Sequence, residues 1–136
     1  ETASMVADHP LMGWGIGGWT SQWQQRAPAE FAAYNMPHND YLWMGAQAGV
    51  PGGLLLLSLL VAACFVGWKR PDNLGRMAFL AALALLFAAL VNSAIRDANI
   101  GLALLWIVGI YLRLASDTGF SLSAFSLTRP PARNVN

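Results

Sequence analysis

The chain has 136 residues, of which 56% are hydrophobic and 11% charged, with a formal net charge of +1. A soluble domain carries about 25% charged residues, so this deficit points to a membrane protein, and the near-neutral balance excludes a nucleic-acid footprint built on bulk charge. The single cysteine, Cys64, lies in an apolar run and reads as a small buried hydrophobe with no internal disulfide partner. The chain begins at Glu1 with no signal peptide, and reads as a piece cut from the C-terminal end of a longer protein.

Residues 1–36 hold no apolar run of the roughly 20 residues that a bilayer crossing needs. Gly13, Gly15, Gly17 and Gly18 make 8–18 a turn-rich loop. Trp19 and Trp23, four residues apart, share one face of a short helix that ends near Arg26. Pro28 suits the first turn of a second short helix reaching Tyr34. Trp14, Trp19, Trp23, Phe31, Tyr34, Tyr41 and Trp43 crowd this region. They fit an anchor at the headgroup level of a membrane, or an aromatic surface on which sugar rings stack.

Three apolar spans follow, at about 49–68, 77–95 and 98–113, separated by the polar turns Lys69 to Arg76 and Arg96-Asp97. The spans are apolar enough to cross a hydrocarbon core of about 30 Å, and such short connections make them neighbours that alternate in direction. Lys69, Arg70, Arg76, Arg113, Arg129 and Arg133 fall on one side, and Arg26 and Arg96 on the other. The positive-inside rule therefore puts 69–76 and the tail in the cytoplasm, and 1–48 with the Arg96-Asp97 turn outside. Ala78, Ala82, Ala84 and Ala88 form small-xxx-small pairs that suit close helix approach, although alanine is also simply frequent in such helices. The expected fold is all-α, with three transmembrane helices preceded by a periplasmic loop with short interfacial helices. Its parts are 1–48, carrying the loop, 49–115, carrying the spans, and a loose cytoplasmic tail over 116–136 rich in Ser, Thr, Pro and Arg.

Where the two halves meet lies His38-Asn39-Asp40-Tyr41-Leu42, then Gln47-Ala48-Gly49-Val50-Pro51-Gly52. Asn39 and Asp40 are both good helix N-caps. Residues 41–48 suit about two helical turns, Gly49 a stop, and Pro51 the first turn of the next helix. Such an elbow leaves backbone groups unpaired, which is tolerated only at an interface or against a wet cavity. His38 falls at the positive end of the short helix, which favours the neutral imidazole that accepts a proton near neutral pH. A lone histidine in a membrane-protein loop is more often structural. Arg96 lies on the same side and reads either as an interfacial residue paired with Asp97 or as a phosphate clamp, since a guanidinium matches phosphate oxygens. His9 reads as a loop residue. No metal is expected: there is no HExxH, no cysteine pair and no carboxylate cluster at ligand spacing.

The His38 stretch resembles the C-terminal motif of the O-antigen ligase and O-antigen polymerase superfamily. That motif runs H-N-x-[YL]-L, then E or Q, then x-G-[LV]-[IP]-G at the same spacing. Upstream, His9-Pro10-Leu11-Met12-Gly13-Trp14-Gly15-Ile16-Gly17 resembles the family's H-P-L-x-G-x-G-x-G stretch. The resemblance covers about residues 7 to 113. It implies a multi-pass glycosyltransferase of the bacterial inner membrane, with its histidine motif facing the periplasm, working without metal or cofactor. The implied donor is an undecaprenyl-diphosphate-linked glycan, and the implied acceptor is lipid A-core, another glycan or a protein hydroxyl. Ligase, polymerase and protein O-oligosaccharyltransferase activities all stay open. The motif histidine maps onto His38, implying a role in activating the acceptor hydroxyl. Arg96, Arg26 and Asn39 are the candidates for substrate contact. Alone, the chain is expected to be inactive. A non-enzymatic transport or assembly subunit is the rival, but a transporter places polar groups at mid-span, and here they lie near the span ends.

Overall fold

The computed structural model describes residues 1–97 and 101–116. Among them every regular element is helical: α1 Thr2–Asp8, α2 Gly18–Arg26, α3 Asp40–Trp68, α4 Asn73–Val91 and α5 Gly101–Ser116, with a single 3-10 turn at Ala29–Phe31. The expected helix from Pro28 to Tyr34 shrinks to that turn, whereas α1 is a helix that the sequence pattern does not announce.

Two of these helices, α3 and α4, are long and apolar enough to cross a membrane by length and composition. α5 is apolar but has 16 residues, which at 1.5 Å per residue is about 24 Å, short of a hydrocarbon core of about 30 Å. The first residues of the expected third span, 98–100, and the expected tail beyond Ser116 lie outside the described residues.

α4 is shifted relative to the 77–95 expectation, and its caps explain why. The carboxylate of Asp72 accepts the N–H of Gly75 at 2.9 Å, so the helix starts at Asn73. At the other end Asn92 leaves the helix with extended φ and ψ of −151° and 169°. Its own side chain then accepts the N–H of Ser93 at 2.8 Å. Asp72 also binds Arg70 Nε at 2.9 Å, and Arg70 donates to the carbonyl of Leu114 at 2.8 Å. The 69–72 turn is thereby fastened to the end of α5.

The membrane-length core is made by Leu60 and Ala63 of α3, Ala82, Leu85 and Ala89 of α4, and Val108 of α5. Along α4 the fully buried positions are Ala78, Ala82, Leu85 and Ala89. Their spacing of four, three and four is one helical stripe. The buried small residues of α4 are thus Gly75, Ala78, Ala82 and Ala89; Ala84 is exposed. Small side chains let backbones approach, and at Gly67 the missing Cβ leaves room for the backbone of Phe79.

A second, separate core joins α1, α2 and the start of α3. Met5, Trp19 and Ala46 are buried, with Val6, Trp14, Trp23 and Trp43 packed around them. Trp19 is 1% exposed and stacks on Trp23 with ring centroids 5.0 Å apart. Its Nε1–H donates to Thr2 Oγ1 at 3.0 Å, and Trp14 Nε1–H donates to the Met5 carbonyl at 2.9 Å. Trp19 is therefore a core residue, and Trp14, Trp23 and Trp43 pack half-buried around it. They form the core of a unit too small to have a large aliphatic one. Phe31 and Tyr34 alone of the larger aromatics in 29–36 stay exposed, with centroids 5.6 Å apart.

Candidate functional site

The two histidine-containing motifs are halves of one structural unit. α3 is broken at Gly49, where φ is 71° and ψ is −177°, a combination open essentially to glycine alone. The break frees backbone groups on both sides, and the loop 10–15 takes them up. Trp14 N–H donates to Ala46 O at 2.8 Å, Gly15 N–H to Gln47 O at 2.9 Å, and Val50 N–H to Pro10 O at 2.7 Å. The elbow is thus satisfied by protein, where the sequence alone left an interface or a cavity as its resolution. A Cβ on Gly49 would lie 2.6 Å from the backbone of Leu11, and one on Gly13 would overlap the backbone of Gln47. Gln47 is 9% exposed, and its Oε1 accepts the N–H of Gly17 at 2.6 Å. Its side chain pins the glycine loop.

At the other end of the 40–48 segment, residues 35–40 are laced to the turn after α4. Asn39 caps α3 by accepting Leu42 N–H at 2.9 Å. Its amide also donates to the carbonyl of Leu90 at 2.9 Å. Ser93, 3% exposed, donates its hydroxyl hydrogen bond to the carbonyl of Pro37. Tyr41 donates its hydroxyl to Leu86 O at 2.9 Å. Asp40, 2% exposed, accepts Ile95 N–H at 2.7 Å. Burial pushes the Asp40 carboxyl above its ordinary range; the Ile95 N–H, the Arg96 charge and the Ala94 N–H oppose this without cancelling it.

His38 sits on this seam and is itself exposed. Its Nδ1 lies 3.3 Å from Asn92 Oδ1, and its ring meets the edge of Tyr34 at 6.5 Å. Arg96 donates to Asn35 O at 3.3 Å and lies over Trp43, 4.9 Å from the ring centroid. The seam therefore assembles His38, Asn39 and Arg96 from two distant stretches of chain. Arg26 is held elsewhere: it ion-pairs with Asp8, bonds Gln22 at 3.1 Å and covers the Trp14 ring at 4.9 Å. His9 packs its ring against Trp14 at 3.9 Å and belongs to the same corner as Arg26.

Asp40, Asn92 and Ser93 are the seam residues that sequence reasoning assigned no such part. Asp40 read as a helix cap, and Asn92 and Ser93 fall near the end of the 77–95 span. Their partners are more than 50 residues away, so no local pattern announces them. Among the described residues no group of His, Cys, Asp and Glu could hold a metal ion. The space beside the seam is an apolar cavity of about 390 Å³ whose lining includes Tyr41, Leu42, Leu86 and Leu90.

Comparison with known families matches residues 1–57 to the O-antigen ligase family model. The match takes in both histidine motifs and bears out the resemblance that they carry. No curated protein and no solved structure matches the chain.

Proposed function

We propose that this chain is the C-terminal part of a membrane glycosyltransferase of the O-antigen ligase type. In this reading it moves a glycan from undecaprenyl diphosphate to an acceptor hydroxyl at the periplasmic face of the inner membrane. The observation that carries it is the family match over residues 1–57, which takes in the exposed His38 and its neighbour Asn39.

The chemistry follows from the groups at the seam. The neutral imidazole of His38 takes the proton of the acceptor hydroxyl as its oxygen attacks the anomeric carbon of the donor sugar. The bond from that carbon to the diphosphate oxygen breaks, and undecaprenyl diphosphate leaves with the electron pair. Diphosphate is a good leaving group, so catalytic help falls mainly on the nucleophile, a task for a general base with a pKa near the working pH. Arg96 presents a guanidinium beside the same seam, and its planar fork matches diphosphate oxygens. The exposed Phe31 and Tyr34 rings offer the sugar an apolar face next to His38. The basic residues around 69–76 favour placing that turn in the cytoplasm and the seam in the periplasm, with the 49–68 part of α3, α4 and the 98–113 segment as the spans, 1–48 as the periplasmic part and 116–136 as the cytoplasmic tail.

The test is glycan transfer in membranes from a strain making the full-length protein, with lipid A-core, glycan and protein acceptors supplied in turn. His38→Ala is expected to lower transfer about 100-fold or more, the scale of general-base catalysis. Arg96→Lys keeps the charge but loses the fork, and is expected to raise the KM for donor. Full transfer by a well-expressed His38→Ala enzyme overturns the assignment.

A further inference from the structure

One nitrogen of the His38 ring is already committed, and the partner that commits it has a fixed polarity. Asn92 Oδ1 accepts the backbone N–H of Ser93 at 2.8 Å. A backbone N–H can only donate, so the amide atom facing it is the oxygen and not the NH2 group. The same oxygen lies 3.3 Å from His38 Nδ1. An amide oxygen can only accept, so Nδ1 carries the hydrogen. A neutral imidazole carries one N–H, which leaves the lone pair on Nε2.

We infer that Asn92 is the positioning residue that sets the tautomer of His38, holding the hydrogen on Nδ1 and presenting Nε2 as the proton acceptor. The inference deepens the reading of His38 as acceptor base and rests on it for its consequence in catalysis.

The chain around both residues supports this. Asn39 is bonded to Leu90 O, two residues before Asn92, and Ser93 is bonded to Pro37 O, one residue before His38. The backbone flanking the imidazole is therefore tied to the backbone flanking the amide on both sides. Neither can move away without breaking bonds that do not involve the ring. The charged and titratable groups around the junction include Tyr34, Asp40, Arg96 and Asp97, whose backbone N–H donates to Ser93 O at 3.0 Å. Tyr34 meets the ring by its edge, Asp40 is turned to Ile95 N–H, and Arg96 to Asn35 O and Trp43.

The experiment is nitrogen NMR of the full-length protein carrying ¹⁵N-labelled histidine in lipid bilayers, above the pH at which the ring protonates. The His38 signals are identified by their loss in His38→Gln. The expected result is a protonated-type shift for Nδ1 and a lone-pair-type shift for Nε2. Asn92→Asp keeps an oxygen acceptor for both donors, so the tautomer is retained. Its added negative charge raises the imidazole pKa, and the acid limb of the pH–rate profile moves to higher pH. Asn92→Leu removes the acceptor: the Nδ1–H preference disappears and kcat falls about 10- to 100-fold, with the KM for donor unchanged. A wild-type ring protonated on Nε2, or a tautomer unaltered in Asn92→Leu, overturns the inference. Those outcomes are separate from the fate of the base assignment, which His38→Ala decides by transfer alone. The wild-type spectrum needs no variant to fold.

Discussion

Replacing Gly49 with alanine asks whether the two motifs pack backbone against backbone. Two costs arise. The first is conformational: at φ 71° and ψ −177° a side chain is strained by about 1–3 kcal/mol. The second is steric: the new Cβ would sit 2.6 Å from the carbonyl carbon and oxygen of Leu11 and from Pro10 O. These are backbone atoms, so no rotamer change relieves the overlap and the loop must withdraw. Withdrawal endangers three bonds, from Trp14, Gly15 and Val50, each worth about 0.5–1.5 kcal/mol net. Losing two of them brings the total to about 2–6 kcal/mol. Gly15→Ala is the matched control. Its φ is also positive, at 82°, but nothing lies within 4 Å of its Cβ, so it pays only the left-handed cost of about 1–2 kcal/mol. The assay is SDS-induced unfolding of the purified full-length protein in mixed micelles, comparing both variants with wild type. A gap of about 2 kcal/mol or more between them is expected. Equal losses would refute the backbone packing, because strain alone would then account for both.

Three further outcomes are expected. Gln47→Glu keeps an acceptor for Gly17 N–H and should leave folding and transfer near wild type, while Gln47→Leu orphans that N–H and should cost about 1–3 kcal/mol in the same unfolding assay. Burial raises the folded-state pKa of Asp40 above its unfolded value, so its contribution to stability is full below the unfolded pKa and is lost as pH rises through the folded one. Asp40→Asn, which still offers Ile95 an oxygen, should flatten that loss, whereas Asp40→Ala removes the acceptor and should destabilise by about 1–3 kcal/mol at all pH values. A cysteine at Ala27 in a cysteine-free full-length background should react with a membrane-impermeant maleimide in intact spheroplasts. One at Asn73 should react only after the membrane is opened; the reverse pattern would invert the proposed orientation.

The helical class and the two long apolar helices were legible because their signal is local: uncharged runs of sufficient length, with Asn39 at a cap position. The break at Gly49 was legible for the same reason, as glycine and proline punctuate within a few residues. The ends of α4 were not. The run from Met77 to Ile95 is apolar almost throughout, and hydropathy alone cannot see that Asn92 turns its side chain onto the next N–H. Nor could α1 be read, since its seven residues offer only Met5 and Val6 as large apolar groups and its stability comes from Trp14 and Trp19 donating to it. The aromatic residues were visible, but their fate was decided by a tertiary core. For the site, the sequence supplied His38, Asn39 and Arg96. It could not supply Asn92, Ser93 or the buried state of Asp40, because those depend on contacts spanning more than 50 residues.

Both sets of ties converge on the segment 40–48. At its far end the glycine loop holds the carbonyls of Ala46 and Gln47; at its near end Asn39, Asp40 and Tyr41 bond to the end of α4 and the turn beyond. The segment is therefore clamped between the helix that follows Gly49 and the seam that carries His38. The geometry at His38 then depends on bonds about two helical turns away. The loop that carries His9 never approaches the imidazole of His38 through any bond described above, yet it fixes the stem on which that imidazole stands. The two motifs thus divide the work: one positions the stem, and the other carries the ring that the stem presents.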